Sequence, residues 1–429
     1  MIKYSPDGLK CLIGAVLVKA GQALLMTWGK SNVYYYSYFK MNDPELSVSY
    51  NTLPIALMGI PLAIASVYSL KIADRIGYEK LIIITTSLQF LSFLLALHAN
   101  SYLEFILFYL GFIGLGYALL AFPLLKCLWS HFSEEEGMVT GILFGVFGFA
   151  TFFFLLLVTY IVNPNNEEAT LSMQVGSQQY LYFSEHVAVN THQAIKYAGF
   201  IAGTLSVCGS LLINQRKLEV AEEQELQILT SEIQNIKITP NDPLLQVVRT
   251  PQFKIILGSY FTVFFFEVTL GLNYKTYVLE KINNDQLITW VDTLGIILGS
   301  IANFVFGKMA DSIIFSVLLH KLLIMMSIIA VMIPISLNIS KDLFIIDYLL
   351  LSIVSKGIIV ILGPGLLQIF GKKTGADILP IVNFSGLLGF IISALSILLI
   401  VPILRFDGTF IFQGLLIGLA AYSTKKLNQ

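Results

Sequence analysis

Leu70-Lys71-Ile72-Ala73-Asp74-Arg75-Ile76-Gly77-Tyr78-Glu79-Lys80 is a short hydrophilic turn between two long apolar runs. A second turn in the other half of the chain, Gly307-Lys308-Met309-Ala310-Asp311-Ser312-Ile313-Ile314, carries the same Ala-Asp signature. It too stands where one apolar run ends and the next begins. Turns repeated at matching positions of two halves imply a duplicated membrane bundle.

Composition around the turns agrees. Of the 429 residues, 56% are hydrophobic and 12% are charged, and the mean hydropathy is +0.78. A soluble chain carries roughly 25% charged residues, so this is a membrane protein. A net charge of −1 gives no electrostatic reason to expect a nucleic-acid partner. Cys11, Cys127 and Cys208 each lie in or beside an apolar run without metal-ligand spacing, and read as buried free thiols. No metal or cofactor is expected. About nine residues precede the first apolar run and no small-residue cleavage site follows it, so that run is expected to stay in the mature protein.

A helix needs about 20 mostly apolar residues to cross the hydrocarbon core. Such runs fall near 10–32, 48–71, 81–99, 103–129, 137–162 and 194–214, then near 252–278, 287–310, 313–335, 343–369, 378–402 and 407–423. The expected fold is all-α integral membrane, with 12 transmembrane helices in two six-helix bundles, 1–214 and 252–429. With both termini inside, 17 of the 26 Lys and Arg lie on the cytoplasmic side and 6 outside. The positive-inside rule therefore places both termini in the cytoplasm, or facing the matrix in an organelle. The joining segment 215–251 spaces Leu218, Leu226, Leu229, Ile233 and Ile236 near helical period, which suits either a surface amphipathic helix or a solvated connector. The polar stretch near 163–193 reads as an exposed loop.

Six plus six helices about a cytoplasmic linker resembles the major facilitator superfamily. The first turn is similar to that superfamily's loop pattern Gly-x-x-x-Asp-Arg-x-Gly-Arg-Arg. Asp74, Arg75 and Gly77 match, Leu70 and Tyr78 stand where Gly and Arg are expected, and Lys80 supplies part of the missing charge. In the second turn Gly307 and Asp311 match, while Ser312 and Ile314 replace the Arg and the second Gly. The stretch from Trp129 to Gly141, with Gly145 and Gly148 after it, resembles the Trp-Phe-Pro-x-x-Arg-Gly-x-Ala-x-Gly pattern of the oxalate/formate antiporter and monocarboxylate transporter branch. Phe370-Gly371-Lys372-Lys373-Thr374-Gly375, leading to Gly386 and Gly389, looks like its second-half counterpart. Glu135-Glu136 stands where a basic pair is expected, so a gating ion pair there would need altered partners.

The resemblance implies that Asp74 and Asp311 latch the cytoplasmic side in one state, by meeting the positive end of a neighbouring helix. Arg75 could fork onto a carboxylate. The plain alternative is that Asp74 and Arg75 are ordinary turn residues. It also implies that spans one, four, seven and ten line a central cavity. Lys19, Glu267 and Lys356 are mid-span charges on spans one, seven and ten, and intramembrane charges are functional candidates by default. Two lysines would attract a small anion, and Glu267 could neutralise one or exchange a proton. A structural pairing of Glu267 with either lysine is the alternative. Tyr117 and Tyr274, on spans four and seven, could hydrogen-bond a substrate.

Other polar positions read as structural. Lys126 would snorkel, Asp292 would be hydrated near the outer face, and Trp28, Tyr34, Tyr35, Tyr36 and Trp290 would belong to aromatic belts, with an outer gate as the alternative. Gly111, Gly114 and Gly116 would permit close packing, and Gly363-Pro364-Gly365 would loosen the end of span ten.

Neither a Walker loop, a filter ring nor a nucleophile–base constellation is present, so ATP-driven pumping, a channel and enzymatic activity are disfavoured. The expected function is secondary active transport of a small organic anion such as a monocarboxylate, by rocker-switch alternating access in a lipid bilayer. The alternative is a transporter-derived structural subunit, with membrane-protein partners and little transport activity.

Overall fold

In the computed structural model, residues 5–46, 53–175, 178–216, 243–279, 281–282 and 284–428 are described. Ten of the described helices are long and apolar enough to cross a membrane. The chain is a multi-pass integral membrane protein. The expected spans near 48–71 and 194–214 correspond to helices Leu53–Ile76 and Thr191–Ser210. The chain divides into two compact units, Met1–Leu125 with Ile142–Ile213, and Lys126–Gly141 with Asn214–Gln429.

In the first unit, α1 (Pro6–Gln22) starts on Ser5, whose hydroxyl accepts from the Gly8 N–H at 3.0 Å. Its α-helical ladder tightens into a 3-10 turn over Ala23–Thr27 and resumes as α2 (Trp28–Asn42). The sequence suggested one continuous span here. Gly14 and Gly21 let α1 approach α9 (Thr191–Ser210) to backbone distance: a Cβ on Gly14 would sit 2.6 Å from the Gly209 carbonyl, and one on Gly21 2.3 Å from that of Ala202. Between them in sequence come α3 (Leu53–Ile76), α4 (Tyr78–Leu97), α5 (Tyr102–Ile106), a π-turn over Leu107–Phe112, α6 (Ile113–His131), α7 (Glu136–Val162) and the short α8 (Glu185–Ala188). The π-turn shifts the backbone register, and Gln89 donates to the Ile113 carbonyl just beyond it at 3.2 Å.

Three expectations for this part of the chain change. The stretch after α7 is not wholly irregular, because β1 (Leu171–Val175) and β2 (Gln178–Tyr182) form an antiparallel hairpin pairing Leu171 with Tyr182 and Val175 with Gln178. The aromatics at 34–36 are not a belt at the bilayer interface. Tyr35 and Tyr36 are buried, and Tyr35, Trp28, Phe105 and Tyr109 pack as one aromatic core, with Trp28 and Tyr35 stacked at 5.4 Å. Cys11 and Cys127 are buried as expected, whereas Cys208 lies on an outward face of α9 and is exposed.

The second unit contains α10 (Pro243–Arg249), α11 (Pro251–Leu279), α12 (Asp285–Ser312), α13 (Phe315–Ile339), α14 (Lys341–Phe370), α15 (Lys372–Leu399) and α16 (Val401–Ser423). Side chains cap several of them: Thr250 accepts from Phe253 N–H at 3.2 Å, Asn284 from Leu287 N–H at 3.0 Å, and Ser340 from Asp342 N–H at 3.2 Å. Gly371, at φ +79°, turns the chain from α14 into α15. The proline at 364 lies inside α14, which runs on to Phe370. The flanking glycines are filled notches: Gly363 faces the Trp129 indole and Gly365 faces the Phe315 ring, both closer than a Cβ would allow. The amphipathic expectation for 215–251 falls largely outside the described residues.

Candidate functional site

Lys19 is 3% exposed, and α1 carries it into the first unit with its ammonium 4.7 Å from the centre of the Tyr117 ring and 5.5 Å from that of Phe147. Tyr117 and Phe147 pack at 5.8 Å between centroids, so α1, α6 and α7 each contribute one wall of this box. Two residues singled out separately from the sequence, Lys19 and Tyr117, are therefore in contact. Among the described residues no carboxylate pairs with Lys19.

The charged residues of the second unit are arranged differently. Tyr274 stacks on Tyr348 at 4.4 Å between centroids, and its hydroxyl donates to the Ile288 carbonyl at 3.4 Å. The Tyr348 hydroxyl donates to Asp292 at 2.9 Å. Asp292, read from the sequence as hydrated, is thus tied to an aromatic pair. One and two turns further along α14, Ser352 and Lys356 lie against Gly295 and Gly299 of α12. A Cβ on Gly299 would be 2.8 Å from the Lys356 Cγ, so glycine is what admits the lysine stem. Glu267 and Lys356 form no ion pair with each other among the described residues.

The two Ala-Asp turns are not equivalent. Asp74 is exposed and accepts from the Tyr78 hydroxyl at 2.6 Å, four residues on. Tyr78 holds the position where the family pattern has arginine, so the turn is closed locally. Arg75 is exposed, and Gly77 takes φ +95° to start α4, a conformation that suits glycine alone. Asp311 instead receives the first backbone donors of α7, from Gly137 at 2.6 Å and Met138 at 2.8 Å. A carboxylate on the first-turn N–H groups of a helix meets unpaired donors and the positive dipole end together. Gly307 makes that approach possible, since a Cβ there would fall 2.5 Å from the Gly137 carbonyl and 2.7 Å from the Gly141 Cα.

Around this cap the second unit has further polar contacts. Glu136 pairs with Lys372 at 3.0 Å, so the acidic replacement in the Trp129–Gly141 stretch has its altered partner, and Lys372 also donates to the Ser133 carbonyl. Lys126 pairs with Asp377 at 3.2 Å instead of snorkelling. The Trp129 indole donates to Thr140 at 2.9 Å. Gln368 bridges the second turn, donating to the Ala310 carbonyl at 2.7 Å and accepting from Phe315 N–H at 3.0 Å. The Asp377 and Gln368 contacts escaped the sequence reading because each joins groups far apart along the chain.

No protein-family profile and no curated protein sequence matches the chain. Its backbone does match solved structures over nearly its whole length. It superposes on the major facilitator proton:xylose symporter XylE bound to 6-bromo-6-deoxy-D-glucose with a TM-score of 0.68 at 13% identity, covering 98% of this chain and 94% of that one. A bacterial homologue of the iron transporter ferroportin in its outward-facing state gives 0.68 at 14% identity, over 99% and 100% of the two chains. The major facilitator transporter FucP in its outward conformation gives 0.66 at 13%, over 98% and 100%. At these identities the likeness is one of architecture: the chain has the major facilitator fold.

Proposed function

We propose that this protein is a secondary active transporter that moves a small organic anion, such as a monocarboxylate, by alternating access. The observation that carries the substrate class is Lys19, buried on Tyr117 and Phe147 and without a carboxylate partner among the described residues. Contact with aromatic faces offsets about 2 kcal/mol. Desolvating an ammonium costs several kcal/mol, so the aromatic box covers only part of the cost. A substrate carboxylate supplies the balance. It is then held by charge. In the second unit, Lys356 and Glu267 are the candidates for anion contact and for proton exchange.

In this reading the repeated turns gate the cycle with both termini cytoplasmic. Asp311 on the α7 N-terminus, with Glu136 and Lys372 beside it, holds one closed state. An ion pair as exposed as Glu136–Lys372, at 13% and 54%, contributes about 1 kcal/mol or less and breaks readily in each cycle. Asp74 and Arg75 make the corresponding contact in another state. Counterflow in proteoliposomes against a panel of small carboxylates tests the proposal. Saturable exchange is expected, and Lys19→Gln should reduce it at least about tenfold while the protein still inserts and purifies. Uptake unchanged by Lys19→Gln would remove the carrying observation, and exchange of neutral solutes only would overturn the substrate class.

A further inference from the structure

Gln22 lies one turn beyond Lys19 on α1 and is 3% exposed. Both its amide nitrogen and its amide oxygen are buried and have no hydrogen-bond partner among the described residues. Buried amides are ordinarily bonded, because an unpaired donor or acceptor keeps its full desolvation penalty. An amide that leaves both unmet, at the last position before α1 tightens into the 3-10 turn, is unusual for a residue with only a packing role.

Its direction is set by the rest of α1. Gly14 and Gly21 are the stripe that touches α9. At 100° per residue, roughly 60° separates Gln22 from Lys19, and both lie off that stripe by about 80° or more. Residues three apart on a helix have Cβ atoms about 5–6 Å from each other, the span of a small substituted acid. The Tyr117 ring beneath the Lys19 ammonium completes the wall.

We infer that Gln22 is a substrate-specificity residue, forming a subsite for an uncharged group that both donates and accepts a hydrogen bond, beside a carboxylate held by Lys19. The substrate class narrows from small organic anions to carboxylates bearing a hydroxyl or primary amide close to the acid group. A hydroxyl satisfies both halves of the amide, receiving from its N–H and donating to its oxygen. A methyl in the same place leaves both unpaired. The inference rests on the anion reading of Lys19. Both groups are shut off from outside in this structure, and the opening step of alternating access admits the ligand.

The test uses the full-length protein in proteoliposomes with pairs of hydroxy acids and their methyl isosteres, glycolate and propionate being the smallest. The intact protein is expected to favour the hydroxy acid by about tenfold or more in kcat/KM. Gln22→Leu, which removes the unpaired amide at similar volume, should bring that ratio to within about twofold of one while propionate uptake persists. Gln22→Asn should give a ratio between the two. Lys19→Gln should depress both members of each pair together. A preference that survives Gln22→Leu, or an intact protein indifferent to the hydroxyl, overturns the subsite and leaves the anion reading standing. Uptake of neither acid, with no thermal stabilisation of the purified protein by either, overturns the anion reading and the subsite with it.

Discussion

Asp74 and Asp311 occupy the same place in a repeated turn and have different surroundings. Asp311 meets two backbone donors, whereas Asp74 is exposed and meets one tyrosine hydroxyl. Asp311→Asn keeps the shape but removes the charge and one acceptor, so a loss of about 2–3 kcal/mol is expected from thermal unfolding in detergent. Asp74→Asn should cost less than about 0.5 kcal/mol. Equal shifts would dismiss the asymmetry. At Gly77, φ +95° makes alanine a strained replacement costing about 1–3 kcal/mol, and the same melt reads it. The residue types of both turns are plain in the sequence, and so is the candidacy of Lys19 and Tyr117. Which aspartate caps a helix is not, because the donors lie 173 and 174 residues from Asp311 and no local pattern encodes them.

The helices are the most legible elements, since long apolar runs in a bilayer must satisfy their backbone internally. Their interruptions are harder to read. The 3-10 turn at Ala23–Thr27 and the π-turn at Leu107–Phe112 carry no proline, and the hairpin after α7 occupies a stretch without apolar periodicity. Gly363 and Gly365 read as loosening residues until the rings of Trp129 and Phe315 are seen in their notches. Packing of this kind is specific to each glycine. Gly307→Val would drive side-chain atoms into the backbone at Gly137 and Gly141, which cannot yield, and should destabilise by about 1–3 kcal/mol. Gly111→Ala, whose Cβ would meet only a leucine methyl at 3.5 Å, should be neutral or stabilising by up to about 1 kcal/mol. Thermal unfolding of the pair separates a close backbone contact from glycine content as such.

For the whole molecule, the apolar runs and the repeated turns anticipate a multi-pass helical protein, and the solved structures supply its likeness to the major facilitator fold. The direction of insertion rests on charge. Single cysteines in a cysteine-free background, at Lys426 and Lys341, should react with an impermeant maleimide from opposite sides, with Lys426 on the cytoplasmic side. Labelling of both from one side would overturn the expectation of twelve spans with both termini cytoplasmic. The substrate is least legible, because an amide such as Gln22 is informative only once its lack of partners is known.

The cap on α7 has a consequence for biosynthesis. Gly137 leaves the ribosome long before Asp311 does, and at about 5–20 residues per second the interval is roughly 10–35 seconds. During that time the N–H groups of Gly137 and Met138 lack the carboxylate that later receives them. The segment Lys126–Gly141, synthesised with the first half, waits for the second half before its contacts with Asp311, Lys372 and Asp377 exist. A nascent chain arrested before residue 300 should therefore be cut by protease within 130–137, and one arrested after residue 380 should resist.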